Sequence, residues 1–368
     1  MSVIFSDNKV TMKKNAIILT GGKLATSDGK TAHGLLRGSS RFNIVGVIDP
    51  VNSGRDAGTV LDGVSREIPI YATIEDFVEH SAATAAYAII GVALHGGKLP
   101  ADWKHVVLTA IENKMGIVNG LHQPLDSDPQ LRAAAADHNV KLVDIRKPRP
   151  FDQLRFWNGD IFKVKAPIIA VLGLDCAIGK RTTARFIVEM CRQNDIRAEM
   201  IYTGQTGWMQ GYEYGFILDA TPNDFVCGEL ERAIVDCERG CSPDLILIEG
   251  QSSLRNPAGP CGAEFLLSGN AKGVILQHVP FRTYFEDLEA LECRLPQIED
   301  EVALIKMYGA ETLAVTLNGH GGDEQDLAAY QQKLAGKLAL PVVRPLAEGV
   351  EALLPSIRRF MGNVSKGV

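Results

Sequence analysis

The stretch Ile168-Ile-Ala-Val-Leu-Gly173-Leu-Asp-Cys-Ala-Ile-Gly179-Lys180-Arg181-Thr182-Thr183 limits the folds open to this chain more than any other. Its unbroken apolar run predicts a strand buried on both faces, and Thr183–Cys191 predicts an amphipathic helix. Such a strand needs parallel neighbours and crossover helices to cover it, which leads to a layered α/β domain. The loop between them has a chemical purpose of its own. Its glycines let backbone N–H groups turn inward as an anion nest, and the helix offers its positive end to a phosphate. Lys180 supplies a point charge on the phosphate chain, and a hydroxyl from Thr182 or Thr183 can reach Mg²⁺ or a phosphate oxygen. The candidate phosphate-binding residues are therefore Gly173, Asp175, Cys176, Ala177, Ile178, Gly179, Lys180, Arg181, Thr182 and Thr183. Five residues separate the two glycines, where the common pattern has four, and Arg181 stands between the lysine and the first threonine. Both threonines therefore stay open for the metal-ligand position.

A second strand pattern, Asp244-Leu-Ile-Leu-Ile-Glu249, ends in an acid where such loops place the carboxylate that reaches Mg²⁺. Glu249 is the candidate, with Thr182, for a metal that arrives with a nucleotide. Strands are also expected at Pro167–Gly173, Ala198–Thr203, Gly273–Val279, Thr312–Leu317 and Pro341–Pro345. The N-terminal half repeats the alternation, with strands at Ala16–Thr20, Ile44–Ile48, Ile68–Tyr71, Ala88–Val92, Gly116–Gly120 and Val140–Asp144. Helical spacing lies between them at Lys30–Arg37, Ile74–His80, Val106–Asn113 and Pro129–His138. With 368 residues the chain exceeds one ordinary core. The prolines of Arg146-Lys-Pro-Arg-Pro-Phe-Asp interrupt helix and sheet alike. The resulting division is a Rossmann-like domain over 1–150, a linker over 151–166 and a P-loop NTPase-like α/β domain over 167–368.

The first domain carries a glycine loop too, Gly21-Gly22 through Gly29-Lys30-Thr31, but it matches neither a P-loop nor G-x-G-x-x-G. NAD binding is not expected there, although Asp49 ends the second strand near the place of a ribose-binding acid. A net charge of −6 argues against a nucleic-acid partner, so the expected ligands are small molecules. No stretch approaches the roughly 20 apolar residues that span a bilayer, and the first fifteen lack a signal-peptide core, so no membrane partner and a cytoplasmic location are expected. Seven unevenly spaced cysteines, Cys237 and Cys241 among them, suggest neither a disulfide framework nor a zinc clip.

The loop G-L-D-C-A-I-G-K-R-T-T and the strand end L-I-L-I-E-G resemble those of dethiobiotin synthetase and its relatives. More closely, the chain resembles the D-glutamate N-acetyltransferase family, long carried as a domain of unknown function. The resemblance rests on Lys30-Thr-Ala-His-Gly-Leu-Leu-Arg37, Ile44-Val-Gly-Val-Ile-Asp49, Gly120-Leu-His122, the long loop, Tyr202-Thr-Gly-Gln-Thr-Gly207, Asp224-Phe225 with Glu229, and Gly250-Gln-Ser-Ser-Leu254. It covers nearly the whole chain.

The resemblance implies acetyl transfer from acetyl-CoA to the amine of D-glutamate or a similar acidic amino acid; a homo-oligomer is expected as well. CoA carries a pyrophosphate and a 3′-phosphate, so the loop can hold the donor without nucleotide hydrolysis. Amine acylation also needs a proton acceptor and donors for the oxyanion. His278 has the ordinary pKa range for the base and His122 is a second candidate; Gln205 and Thr206 sit in a glycine-flanked turn suited to close ligand approach. An acidic substrate calls for cations, and Arg255, Arg282 and Arg294 can clamp carboxylates. The alternative is an ATP- and Mg²⁺-dependent ligase or kinase of the dethiobiotin synthetase type, with Lys180, Thr182 and Glu249 arranging the nucleotide. In that family an Asn ending a later strand reads adenine, which maps to Asn318. A GTP-driven switch is disfavoured, because Asn318-Gly-His-Gly lacks the Asn-Lys-x-Asp pattern that selects guanine.

Overall fold

In a computed structural model, which describes residues 13–365, the chain divides into two compact units. One takes the chain up to Lys147 together with Trp208–Gly211; the other takes Pro148–Gly207 and the chain from Tyr212 onward.

The first unit is built on six parallel strands: β1 (Lys14–Leu19), β2 (Phe42–Ile48), β3 (Ile70–Tyr71), β4 (Tyr87–Ile90), β5 (Gly116–Asn119) and β6 (Leu142–Asp144). Their order, β3-β2-β1-β4-β5-β6, is that of a Rossmann sheet and reverses between β1 and β4. Helices close both faces, because alternate residues of β1 feed opposite cores. Ile17 and Leu19 pack with Phe77, Trp103 and Ile111, while Ala16 and Ile18 pack with Leu35 and Leu24. The helix Ile74–His80 forms over the span expected from its spacing. The short helix Ala57–Asp62 was not legible, since six residues with a glycine carry little periodicity. Its cap holds it: Asp56 accepts from Thr59 N at 2.8 Å. Burial pushes the Asp56 carboxyl upward, but N–H groups of Thr59, Ile68 and Arg66 outweigh it and hold the group at about 2.

Asp49 is fully buried, and its carboxylate accepts from Thr20 Oγ1, Leu24 N, Val51 N and both Asn52 donors at 2.7–3.1 Å. Its oxygens close turns of its own unit. Beside it, at the carboxyl ends of β1 to β3, a cavity of about 320 Å³ is lined by Leu19, Gly21, Ile48, Ile74 and Trp103. Gly21 has φ +55°, and a Cβ there would stand 2.1 Å from the Trp103 ring. Gly21→Ala is expected to destabilise the protein by about 2–4 kcal/mol through backbone strain and overpacking. A urea melt coinciding with wild type would show that the ring gives way freely.

The second unit holds β7 (Ile168–Gly173), β8 (Ala198–Ile201), β9 (Leu245–Glu249), β10 (Gly273–His278), β11 (Glu311–Leu317) and β12 (Val342–Val343). The parallel order β12-β11-β10-β7-β9-β8 puts the phosphate-loop strand β7 at the centre, between β9 and β10. One face is covered by the helix Lys180–Gln193 through Ile187, Val188 and Cys191. The other is covered by Asn223–Cys241 and Glu324–Leu338, through Leu230, Ile234, Leu327 and Leu334. The expected strand at Pro341–Pro345 contracts to Val342–Val343, because Pro345 opens a helix.

Residues 151–166, read from sequence as a linker, pack on the second unit. Glu229 accepts from Arg155 N at 3.1 Å, and Glu231 accepts from Asn158 N at 2.8 Å and Ile161 N at 3.1 Å. Two buried carboxylates of one helix thus satisfy a stretch that carries little regular structure. Among the described residues no helix is long and apolar enough to cross a membrane.

Candidate functional site

The loop from Gly173 to Lys180 turns on two left-handed residues, Ala177 at φ +54° and Gly179 at φ +104°. Gly179 caps the helix Lys180–Gln193 without a side-chain hydrogen bond, so no cap side chain covers the first-turn N–H groups. Lys180 is buried, and its Nζ donates to Asp175 O at 2.5 Å and Ser252 O at 2.8 Å. Burial lowers the ammonium's pKa, opposed by Cys176, Asp175, Cys261 and Glu249. The loop therefore encloses a cation whose partners are backbone carbonyls.

Asp175 anchors the loop from below. Its side chain is fully buried and accepts from Arg282 Nη1 at 2.7 Å, Glu286 N at 2.9 Å and Cys176 N at 2.7 Å. Arg282 also donates to Cys176 O at 3.1 Å and pairs with Glu286 at 2.8 Å. It is therefore a brace of the loop, held by two carboxylates. Asn318 lies on the other side, donating from Nδ2 to Ile178 O at 2.9 Å and accepting from His320 N at 2.9 Å.

The end of β9 brings Glu249 beside this loop, with Val171 of β7 as its register partner. Glu249 is buried and accepts from Thr203 N at 3.0 Å, while Thr203 Oγ1 donates to Glu249 O at 2.7 Å. These bonds divert Thr203 from β8, which ends at Ile201 and not at Thr203 as the sequence suggested. Burial raises the Glu249 pKa, opposed by Arg181, the N–H groups of Thr203 and Gly204, and Lys180. Arg181, partly buried at the second position of the helix, has its pKa lowered by burial and opposed by Glu249 and Tyr212. It remains a cation within electrostatic reach of the acid. Gln205 and Thr206, both buried, open the helix Gln205–Gln210 directly after this turn.

The two threonines differ. Thr183 is buried and its hydroxyl donates to Gln277 Oε1 at 2.6 Å, an oxygen that also receives Thr316 Oγ1 at 2.6 Å. Thr182 is half-buried, one position earlier. Among the described residues no group of three or more His, Cys, Asp or Glu stands where it can hold a metal ion.

Other candidates lie apart from the loop. His278 shares a face of the sheet with Leu276, opposite the helix Lys180–Gln193, and its Nε2 bonds to Tyr330 Oη at 3.0 Å. Burial lowers its pKa from 6.5 to about 4. The neutral ring is therefore favoured on folding, with full stabilisation above pH 6.5 and loss as pH falls toward 4. The loss is expected to reach about 3 kcal/mol near pH 4 and to be absent in His278→Gln, as followed by chemical denaturation across that range. Arg255 pairs with the buried Glu301 at 2.7 Å, its own side chain 38% exposed. Arg294 stacks over Tyr284 at 5.3 Å, and His122 is exposed in the first unit.

Sequence reasoning passed over Gln277 as part of this site, and quoted Thr203 and Ser252 only within motifs. Only strands that converge in space assign Gln277. The Gly250-Gln-Ser-Ser run, directly after an acid-ended strand, was the available signal for Ser252.

Residues 155–354 match the DUF1611 P-loop domain, described as a domain of unknown function, and residues 50–148 match its Rossmann-like N-terminal companion. A D-glutamate N-acetyltransferase of Tritonibacter scottomollicae is 30% identical over 287 residues, covering 76% of this chain and 83% of that protein. Another, from Pseudoalteromonas sp, is 28% identical over 276 residues, covering 73% and 80%. The crystal structure of a DUF1611 family protein from Anabaena variabilis ATCC 29413 superposes with a TM-score of 0.85 at 26% identity, over 94% of this chain and 100% of that one.

Proposed function

This chain belongs to the DUF1611 family, whose members similar to it include D-glutamate N-acetyltransferases, and from that premise we propose that it moves the acetyl group of acetyl-CoA to the amine of D-glutamate or a similar acidic amino acid. The observation that carries the proposal is the buried Lys180 ammonium, bonded to the carbonyls of Asp175 and Ser252 inside a loop with left-handed turns. Phosphate oxygens of the donor replace those carbonyls as acceptors for the same cation, with gain of charge. Acetyl-CoA supplies a carbonyl carbon activated as a thioester. The amine nitrogen forms the new C–N bond, the C–S bond breaks, the amine proton leaves to a base and the sulfur departs as free thiol.

The pantetheine arm separates the thioester from the pyrophosphate by many bonds. Lys180 and its loop therefore hold the donor and do not touch the acyl carbon, so changes there act on KM for acetyl-CoA more than on kcat. For the acidic substrate, Arg255 is the more accessible cation although it pairs with Glu301, since Arg282 is largely buried and shared between two carboxylates, Asp175 and Glu286.

The test is to incubate the protein with D-glutamate and acetyl-CoA, with and without Mg-ATP, and to follow thiol and ADP together. Thiol release that needs D-glutamate and ignores ATP is the expected result. ADP release without thiol would replace this reading with an ATP-dependent ligase.

A further inference from the structure

Strands β1, β2 and β3 of the first unit end at one edge of their sheet, the edge at which open α/β sheets take ligands. There Leu19 and Ile48, with Ile74 of the helix Ile74–His80 and Trp103 and Val106 of the helix Trp103–Glu112, line the cavity of about 320 Å³. Its volume stands at the lower end for small-molecule sites, and an apolar wall is their usual lining. Gly21 fixes one wall. Its φ of +55° and missing side chain let the turn after β1 lie against the Trp103 ring, where a Cβ would stand 2.1 Å away.

The mouth carries charge of one sign. Glu75, Asp102 and His105 line the cavity and are exposed, whereas no Lys or Arg stands among the described residues that line it. Asp102 is the N-cap of the helix Trp103–Glu112, yet its side chain accepts no hydrogen bond from that helix, the usual role of an aspartate there. Among the described residues, neither Glu75, Asp102 nor His105 has a side-chain hydrogen-bond or ion-pair partner. The neighbouring cation on the helix is engaged elsewhere, since Lys104 pairs with Asp128 at 2.7 Å.

Two unpaired carboxylates over an apolar chamber suit one ligand chemistry. We infer that the cavity binds a small organic cation, an ammonium group on an apolar or aromatic body: the body fills the chamber, and the charge meets Glu75 and Asp102 at the mouth. Burial of the body against Leu19, Ile48, Ile74 and Trp103, each 8% exposed or less, supplies the affinity. The two carboxylates supply the selectivity. Phosphates and carboxylates, the groups carried by acetyl-CoA and D-glutamate, meet like charges here. The site is therefore separate from the one proposed for acetyl transfer and does not rest on that reading.

Three probes of similar shape and different charge test this: 2-phenylethylamine, 2-phenylethanol and phenylacetate, each titrated into the full-length protein and followed by calorimetry and tryptophan fluorescence. The amine is expected to saturate with a Kd on the order of 1 mM or tighter, within reach of a ligand of about nine non-hydrogen atoms. It is expected to bind about fivefold tighter than the alcohol, the effect of a partly exposed ion pair. Phenylacetate is expected to show no saturable binding. Combining Glu75→Gln with Asp102→Asn is expected to abolish the preference for the amine and leave the alcohol unchanged, which separates lost charge from lost structure. In Trp103→Phe the fluorescence response is expected to vanish while calorimetric binding persists; if that protein fails to fold by circular dichroism, the two exposed positions carry the test. The inference is overturned if the amine does not saturate, if phenylacetate binds as tightly as the amine, or if the doubly substituted protein discriminates among the probes as wild type does. A full fluorescence response in folded Trp103→Phe would also overturn it, since the ligand would then lie beside Trp157 or Trp208.

Discussion

Lys180→Met is expected to raise KM for acetyl-CoA about a hundredfold, with kcat changed less than about threefold, the loss of charge-assisted contacts to two phosphate oxygens. The split follows from the distance between the phosphates and the reacting carbonyl. Stability is expected to move little, because two opposed effects meet at this side chain. The substitution strips the carbonyls of Asp175 and Ser252 of their donor. It also removes a buried charge whose desolvation already lowers its pKa. A melting temperature within a few degrees of wild type, together with the raised KM, is the predicted pair of observations. A methionine variant with wild-type KM would show that this ammonium does not bear on the donor.

Arg282→Met is expected to cost about 3–5 kcal/mol of stability, the largest of the predicted stability effects. Asp175 is fully buried, and among the described residues Arg282 is the one cation that forms a salt bridge with its carboxylate. The N–H groups of Cys176 and Glu286 remain after the substitution, but they do not neutralise the carboxylate. Adding Asp175→Asn to the arginine variant removes the uncompensated charge and is expected to recover at least half the loss, as read by urea unfolding of the four proteins in the cycle. Additive losses would mean that the two side chains brace the loop independently. Glu286, which also pairs with Arg282, is partly exposed and is expected to matter far less.

The strands of both sheets were legible because each lies in a parallel layer buried on both faces. Residues such as Ile168–Gly173 and Leu245–Glu249 then have little choice but to be apolar throughout. The phosphate loop was legible for a related reason: a left-handed Gly179 and a lysine at the helix start are local requirements, met by residues adjacent in sequence. Glu249 was singled out because strand ends face ligands in open α/β sheets, and Asn318 through the dethiobiotin synthetase resemblance; Asn318 lies against the loop through Ile178 O. The helix Ala57–Asp62 escaped notice because its stabilising contacts come from a capping carboxylate rather than from periodicity.

Arg282 and His278 show the limit of reading side chains from position. Both follow or end the same strand and both looked available for chemistry, one as a clamp and one as a base. Arg282 is held by Asp175, which lies 107 residues away, and His278 turns to the face opposite the helix of the loop and bonds Tyr330, 52 residues on. No local pattern encodes such pairings, because a strand-end side chain takes the partner that the neighbouring strand or helix presents.

By itself the sequence determined the layered α/β architecture, the two sheets and the cradle around Lys180, since backbone requirements and burial act on residues close together in the chain. Only the tertiary structure decided which charges are spent on one another, as Arg282 is on Asp175 and Glu286. That outcome depends on distances across the sheet, where Asp175 and Arg282, far apart in the chain, come within 2.7 Å.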